Sequence, residues 1–308
     1  MKLEILIDQF IAYRQALGEI WLDKCTPRAF GRFMGSDVEL EDVTPENVNA
    51  FLAGKGTMTQ TWHIKLSGLK SFYQYVISRG LADTAPLPLI SPARPAAFEP
   101  YIYPEAELMS LFQAARTVAW ARTLYAGDLH LILLLIYSSG LRVSELISLN
   151  RGDVDLDECM LKVRQSKFGK TRLVPFSPQL RDKLSAVEAR NKNAEGCISF
   201  FVSPSGNRIC TYTLQNYFRR LRNDCGITRH DGARYEPRIH DLRHSFAVHR
   251  LTSWYQNGDD VQLLLPHLSV YLGHIHLRAT QVYLSMTPEL LGEACRRFED
   301  YALGGNDD

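Results

Sequence analysis

Four local patterns in this chain carry side chains suited to gripping a phosphate and breaking its ester bond. In Ser139-Gly-Leu-Arg142-Val-Ser-Glu145-Leu146 an arginine follows a glycine, and a carboxylate stands three residues on, which is the same face of a helix. Lys167 sits in the turn-like stretch Ser166-Lys-Phe-Gly169, from which a flexible ammonium can reach outward. His240-Asp-Leu-Arg243-His244 sets His240 and Arg243 at i and i+3, and imidazolium and guanidinium both donate hydrogen bonds to phosphate oxygens. In the last pattern His274, in Tyr271-Leu-Gly-His274, precedes Tyr283, a phenol that can serve as a nucleophile.

Taken singly, each pattern has a plainer explanation. Arg142 and Glu145 could be a surface ion pair, Lys167 a solvated lysine, and Tyr283 a core or rim residue among fourteen tyrosines. His240 and His244 also have the i, i+4 spacing of a zinc metalloprotease helix, with Asp241 where that motif has glutamate. Asp241 is one methylene short of that general base, Arg243 brings a cation toward the metal, and no third ligand is marked. The pattern therefore favours an anion over a metal.

Charge is segregated although its sum is small. There are 35 Lys plus Arg against 34 Asp plus Glu, a formal net charge of +1, so affinity for a polyanion must come from local patches. Lys162, Arg164, Lys167, Lys170 and Arg172 fall close together with no acid among them, and residues 216–250 hold eight arginines against four acids. Lys162, Arg164, Lys170 and Arg172 are the expected contacts to nucleic-acid phosphates, since oriented Lys and Arg groups match phosphate oxygens.

The elements that must position these residues fall into two segments. A chain of 308 residues exceeds the usual size of one domain, and six prolines lie in residues 86–104, where the missing N–H and the restricted preceding residue favour extended backbone. Residues 1–90 are expected to form a bundle of about four helices, residues 91–104 a linker, and residues 105–308 a mixed domain. Leu3, Leu6, Ile7, Phe10, Tyr13 and Leu17 repeat at helical spacing, as do Trp62, Leu66, Leu69, Phe72 and Val76. Thr26-Pro27 and Thr44-Pro45 each offer an N-cap hydroxyl before a proline. Residues 105–126 and 129–137 are expected to be helical, residues 161–163 and 173–176 to pair as a hairpin around Lys167, and the chain after residue 202 to return to helix through Tyr283. Residues 290–301 carry a further apolar stripe, an expected helical tail. The fold class is thus mainly α with a small β-hairpin in an α+β domain. No apolar run approaches the length of a membrane span, Glu4 and Asp8 break any secretory core, and six scattered cysteines lack a C-x-x-C pair, so a cytoplasmic protein with reduced thiols is expected.

In this order and at these spacings the patterns resemble the tyrosine recombinase (phage integrase) family, including the integrases of mobile elements. The resemblance maps Arg142, Lys167, His240, Arg243, His274 and Tyr283 onto the catalytic set, with Glu145 as its acidic support; Lys170 lies near the lysine position too. Tyr283 stands in Val-Tyr-Leu-Ser and lacks the Tyr-Thr-His context common in the family. The resemblance implies a core-binding helical domain that clamps double-stranded DNA and a catalytic domain that cuts and rejoins strands. The intermediate is a 3′-phosphotyrosine, no metal or other cofactor is required, and four protomers act on two duplexes, two per site. Lys167 would protonate the leaving 5′-oxygen, and His240 would orient Tyr283 or accept its proton.

Overall fold

In the computed structural model the chain divides into two compact units, Met1–Phe98 and Glu99–Asp308. The division falls inside the proline-rich stretch. The structure describes residues 1–19, 25–54, 60–94, 99–164, 171–191, 198–233, 235–285 and 292. The linker residues 95–98, Lys167, Lys170 and the tail residues 290–301, Gly292 excepted, therefore lie outside the described residues.

The first unit contains α1 (Leu3–Ala16), α2 (Thr26–Met34), α3 (Pro45–Ala53) and α4 (Gln60–Ser78). Their apolar stripes meet in one core, in which Leu3, Leu6, Phe10, Phe30, Leu69 and Phe72 are essentially inaccessible. Thr44 caps α3 as its sequence suggests: its hydroxyl accepts the Asn47 N–H at 3.3 Å, and Pro45 opens the helix. Thr26 does not cap α2. It is the first helical residue, with Cys25 at the cap position, and its side chain lies under Gly68 of α4, where an added Cβ would come within 2.6 Å of it. Helix packing has claimed the hydroxyl that the sequence offered as a cap.

The second unit begins with α5 (Glu105–Arg116), shorter than the periodicity of residues 105–126 suggests. Beyond it Trp120 packs edge-on to Tyr217 at 5.5 Å, with Arg220 over its ring, and this tertiary contact outweighs local helix preference. Next come α6 (Asp128–Ser139) and α7 (Val143–Ile147). Helix α6 is buried almost all round, and Leu129, Ile132, Leu133, Leu135 and Ile136 each contribute about 1.5–3 kcal/mol of apolar burial. Strands β1 (Val154–Asp155), β2 (Met160–Val163) and β3 (Arg172–Pro175) form an antiparallel sheet in that order, with Val163 opposite Arg172. The expected hairpin is thus β2–β3; the two-residue β1 is too short to leave a periodic signal.

Helix α8 (Arg181–Asn191) and helix α9 (Thr211–Asp224) follow. Gly226 has a left-handed φ of +68° just past α9, and a loop separates it from α10 (Asp241–Gln256), so the helix expected to continue after residue 202 is interrupted here. Helix α11 (Val261–Leu272), the single turn α12 (Arg278–Gln281) and a 3-10 turn at Val282–Ser285 complete the described chain. Among the described residues no helix is long and apolar enough to cross a membrane.

One glycine fixes how α6 hands the chain to Arg142. Gly140 has φ +60°, and a Cβ there would come within 2.6 Å of Phe246 and 2.8 Å of Leu272. Gly140→Ala combines left-handed strain with overpacking and is expected to cost about 2–4 kcal/mol, read as a lowered denaturation midpoint without a change in slope.

Candidate active site

Helical periodicity does the first part of the assembly. His240 stands at the N-cap of α10, and Arg243 and His244 follow at i+3 and i+4, so all three share one face. The helix start is held by Asp241, whose buried carboxylate accepts the Arg238 backbone N–H at 2.8 Å and its guanidinium at 3.0 Å. One turn on, Ser245 donates to the Asp241 carbonyl at 3.0 Å and accepts the Tyr103 N–H at 2.8 Å.

Arg243 is only 1% exposed. Its guanidinium donates to the Gly140 carbonyl at 2.5 Å, to the Leu272 carbonyl at 2.6 Å and to His274 Nε2 at 3.2 Å. It thereby ties the ends of α6 and α11 to α10. Burial, reinforced by the nearby Arg142 charge, pulls its pKa down to about 10, which leaves it protonated at neutral pH. An arginine has no acceptor, so His274 Nε2 must accept that bond. The His274 proton is then on Nδ1, where it donates to Thr280 Oγ1 at 2.8 Å. Thr280 is fully buried in α12, and one turn later Tyr283 returns to the same place. The Tyr283 ring is 3% exposed and stacks on His274 with centroids 6.1 Å apart. Its hydroxyl lies 3.1 Å from His244 Nδ1.

Glu145 organises the opposite side. It accepts from the Arg142 backbone N–H at 3.0 Å and the Arg142 guanidinium at 2.7 Å, and it takes a two-pronged pair from Arg172 at 3.0 and 2.9 Å. Arg243 lies 4.0 Å away. Burial alone would raise this carboxyl, but the bonds to Arg172 and Arg142 prevail and hold it at about 2. One carboxylate thus partly offsets three guanidinium charges. Arg142 also donates to the Gly273 carbonyl at 3.4 Å and remains 22% exposed. Its open side, with His240 and Arg238, lines a cavity of about 670 Å³ that runs along Tyr212, Gln215 and Arg219 of α9.

The structure therefore brings Arg142, Glu145, His240, Arg243, His274 and Tyr283 into one region. Two assignments change. The imidazole bonded to Tyr283 is His244, not His240, whose ring lies edge-on to His244 with centroids 5.1 Å apart. Arg172, expected to contact DNA phosphates, is instead committed to Glu145 and to the Tyr271 carbonyl at 2.9 Å, with its side chain 12% exposed. One further cation of that run also meets an acid from outside it. Arg164 is paired with Asp153, and Lys162 borders a cavity lined by Asp153, Asp155, Asp157, Glu158 and Glu188. Lys170 and Lys167 lie outside the described residues. His244 was marked in the sequence only by its i+4 spacing from His240, and Thr280 by no motif at all. Among the described residues no group of three or more His, Cys, Asp or Glu side chains could hold a metal ion.

The imidazoles share one electrostatic state. Burial, assisted by neighbouring cations, lowers His240 to about 4, His244 to about 3 and His274 to about 4, so all three are neutral near pH 7. Burial raises the Tyr283 phenol, against the opposing pull of Arg243 and Arg142. A base depressed by folding takes up its proton first in the unfolded chain. Stability is therefore complete above about pH 6.5 and falls as pH drops through 6.5 toward 4. Thermal melts of the DNA-free protein are expected to show a midpoint that declines between about pH 7 and 5; a flat midpoint there would contradict the neutral cluster.

Comparison with known proteins gives this arrangement a family. Residues 103–289 match the model of the phage integrase family. An integrase/recombinase homologue of Sinorhizobium fredii is 34% identical over 245 residues, covering 77% of this chain and 78% of the relative. The tyrosine recombinase XerC of Thermodesulfovibrio yellowstonii is 30% identical, with 82% of this chain and 80% of the relative aligned. Among solved structures, a lambda integrase tetramer bound to a Holliday junction superposes with a TM-score of 0.60 at 19% identity, covering 92% of this chain and 77% of that one. The chain belongs to the phage integrase family. It is a tyrosine recombinase, a site-specific enzyme that cuts and rejoins DNA strands.

Proposed function

We propose that Tyr283 attacks a DNA phosphodiester at phosphorus, forming a 3′-phosphotyrosine and releasing a 5′-hydroxyl, and that the reverse attack by a new 5′-hydroxyl rejoins the strand. Covalent catalysis through the phenol conserves the ester bond, so neither a nucleotide nor a metal cofactor is required. The observation that carries this reading is the gathering of Arg243, His244 and His274 around the Tyr283 ring, with Arg142 and His240 opening from the same region onto a cavity.

In this reading Arg142 and Arg243 supply donors to the two nonbridging oxygens, each donor worth about 10²–10³ in rate, or about 3–4 kcal/mol, and His274 joins them once the phosphate charge draws a proton onto its Nε2, which in the free protein accepts from Arg243. Glu145 holds Arg142, and Arg172 holds Glu145; both are positioning residues. Lys167 protonates the departing 5′-oxygen. Support for that role comes from the flanking strands β2 and β3, since Arg172 of β3 is anchored to Glu145 and Tyr271. The duplex lies along the cavity edged by Arg142, His240 and the exposed Tyr212, Gln215 and Arg219 of α9, where positive charge and hydrogen-bonding side chains meet. The helical unit Met1–Phe98 is the second DNA-binding element. Two protomers occupy each site and a tetramer carries out exchange, in the cytoplasm.

The test uses purified full-length protein and nicked duplexes tiled over the DNA on either side of its own gene. A denaturant-resistant protein–DNA complex confined to particular duplexes is expected. Relaxation of supercoiled plasmid without site preference would assign the same chemistry to a topoisomerase, and no covalent complex on any duplex would overturn the reading.

A further inference from the structure

We propose that His244, the residue after the arginine of the H-x-x-R pair, is the group that takes the proton from Tyr283 during strand cleavage and returns it during rejoining. The inference rests on Tyr283 being the nucleophile. Its basis is a division of labour between two imidazoles on one helix face. His240 lines the cavity beside Arg142, where a phosphate would enter. His244, one turn deeper in α10, has its Nδ1 3.1 Å from the Tyr283 hydroxyl, within the range a general base needs. Arg243 can only donate, and its bonds go to Gly140, Leu272 and His274, so the acceptor hydrogen-bonded to the phenol is His244 Nδ1.

The surroundings also explain why the resting protein does not ionise its tyrosine. The groups facing His244 are His240 and Arg243 on α10, Arg238 just before it, His274 beyond α11 and Tyr283 itself. None of these carries negative charge while Tyr283 is protonated, and burial with these neighbours keeps His244 a weak base. A phosphodiester brings one negative charge among the arginines, and this favours imidazolium formation at His244 only when substrate is bound. The phenol oxygen bonds to phosphorus as its proton passes to His244 Nδ1, and the bond from phosphorus to the 5′-oxygen breaks as that oxygen takes a proton from Lys167. In rejoining, the 5′-hydroxyl proton returns to Lys167 and the His244 proton to the phenol.

The experiment is single-turnover formation of the covalent complex on the nicked duplex captured by wild type, followed against pH for wild type, His244→Asn, His240→Asn and His244→Ala. Asparagine can place an acceptor near the imidazole Nδ1 position but cannot take the proton, so the fold is retained; gel shift and thermal melting verify this. His244→Asn is expected to cleave about 10²–10³-fold more slowly with unchanged DNA affinity and to lose the rise of rate with pH. His240→Asn keeps that rise, and added imidazole restores His244→Ala. Wild-type rates in His244→Asn, loss of the pH rise in His240→Asn instead, or failure of imidazole to rescue a folded, DNA-binding His244→Ala would each overturn the proposal. Failure of the nucleophile reading looks different: Tyr283→Phe would still form the complex.

Discussion

Tyr283→Phe is expected to abolish the covalent protein–DNA complex while leaving DNA affinity and the fold nearly intact. The substitution removes one oxygen from a ring that is 3% exposed and keeps the stacking on His274. The hydrogen bond lost is to His244, a cost of about 0.5–1.5 kcal/mol in stability. The effect on chemistry is total, because no other atom of the side chain can bond to phosphorus. The check is a trapping assay on nicked duplexes beside a gel shift on the same DNA. Retained trapping would place the nucleophile elsewhere, and lost DNA binding would show that the hydroxyl acts in recognition.

The second large effect separates the two arginines. Arg243→Ala is expected to lower stability by about 3–5 kcal/mol and cleavage by more than about 10³-fold. It leaves the Gly140 and Leu272 carbonyls without their buried donor and His274 Nε2 without its partner. Arg243→Lys does not rescue, since one ammonium cannot reproduce the rigid fork that reaches three acceptors. Arg142→Ala is expected to slow cleavage by about 10²–10³-fold with a melting temperature close to wild type, because Glu145 keeps its two-pronged bond to Arg172. Single-turnover cleavage and thermal melts on the same preparations test both statements. A stable Arg243→Ala protein, or an Arg142→Ala protein that melts as early as it, would break the distinction.

How much of this was legible before the structure depends on whether a signal was local. The helical stripes of α1 and α4, the Thr44 cap and the β2–β3 hairpin are set by neighbouring residues, and the sequence states them directly. Tertiary contacts decided the rest. Helix α5 stops where Trp120 turns to Tyr217, and Thr26 packs under Gly68 where a cap was expected. Arg164 and Arg172 read as open cation density because the acids that pair with them, Asp153 and Glu145, lie outside the run in sequence. The order Arg142, His240, Arg243, His274, Tyr283 was readable because motif and spacing survive in one dimension. Which imidazole meets the phenol was not. His240 and His244 differ by one helical turn, and only the path of the chain through Thr280 to Val282–Ser285 decides between them.

In the proposed reaction the Tyr283 oxygen, hydrogen-bonded to His244 on a ring stacked against His274, becomes bonded to a DNA strand. The most direct test is tandem mass spectrometry of the trapped complex after exhaustive nuclease and protease digestion. A residual nucleotide mass carried through phosphate is expected on the peptide containing Tyr283, and on that tyrosine alone. A nucleotide adduct on any other side chain, or a denaturant-resistant complex whose Tyr283 peptide is unmodified, would contradict it.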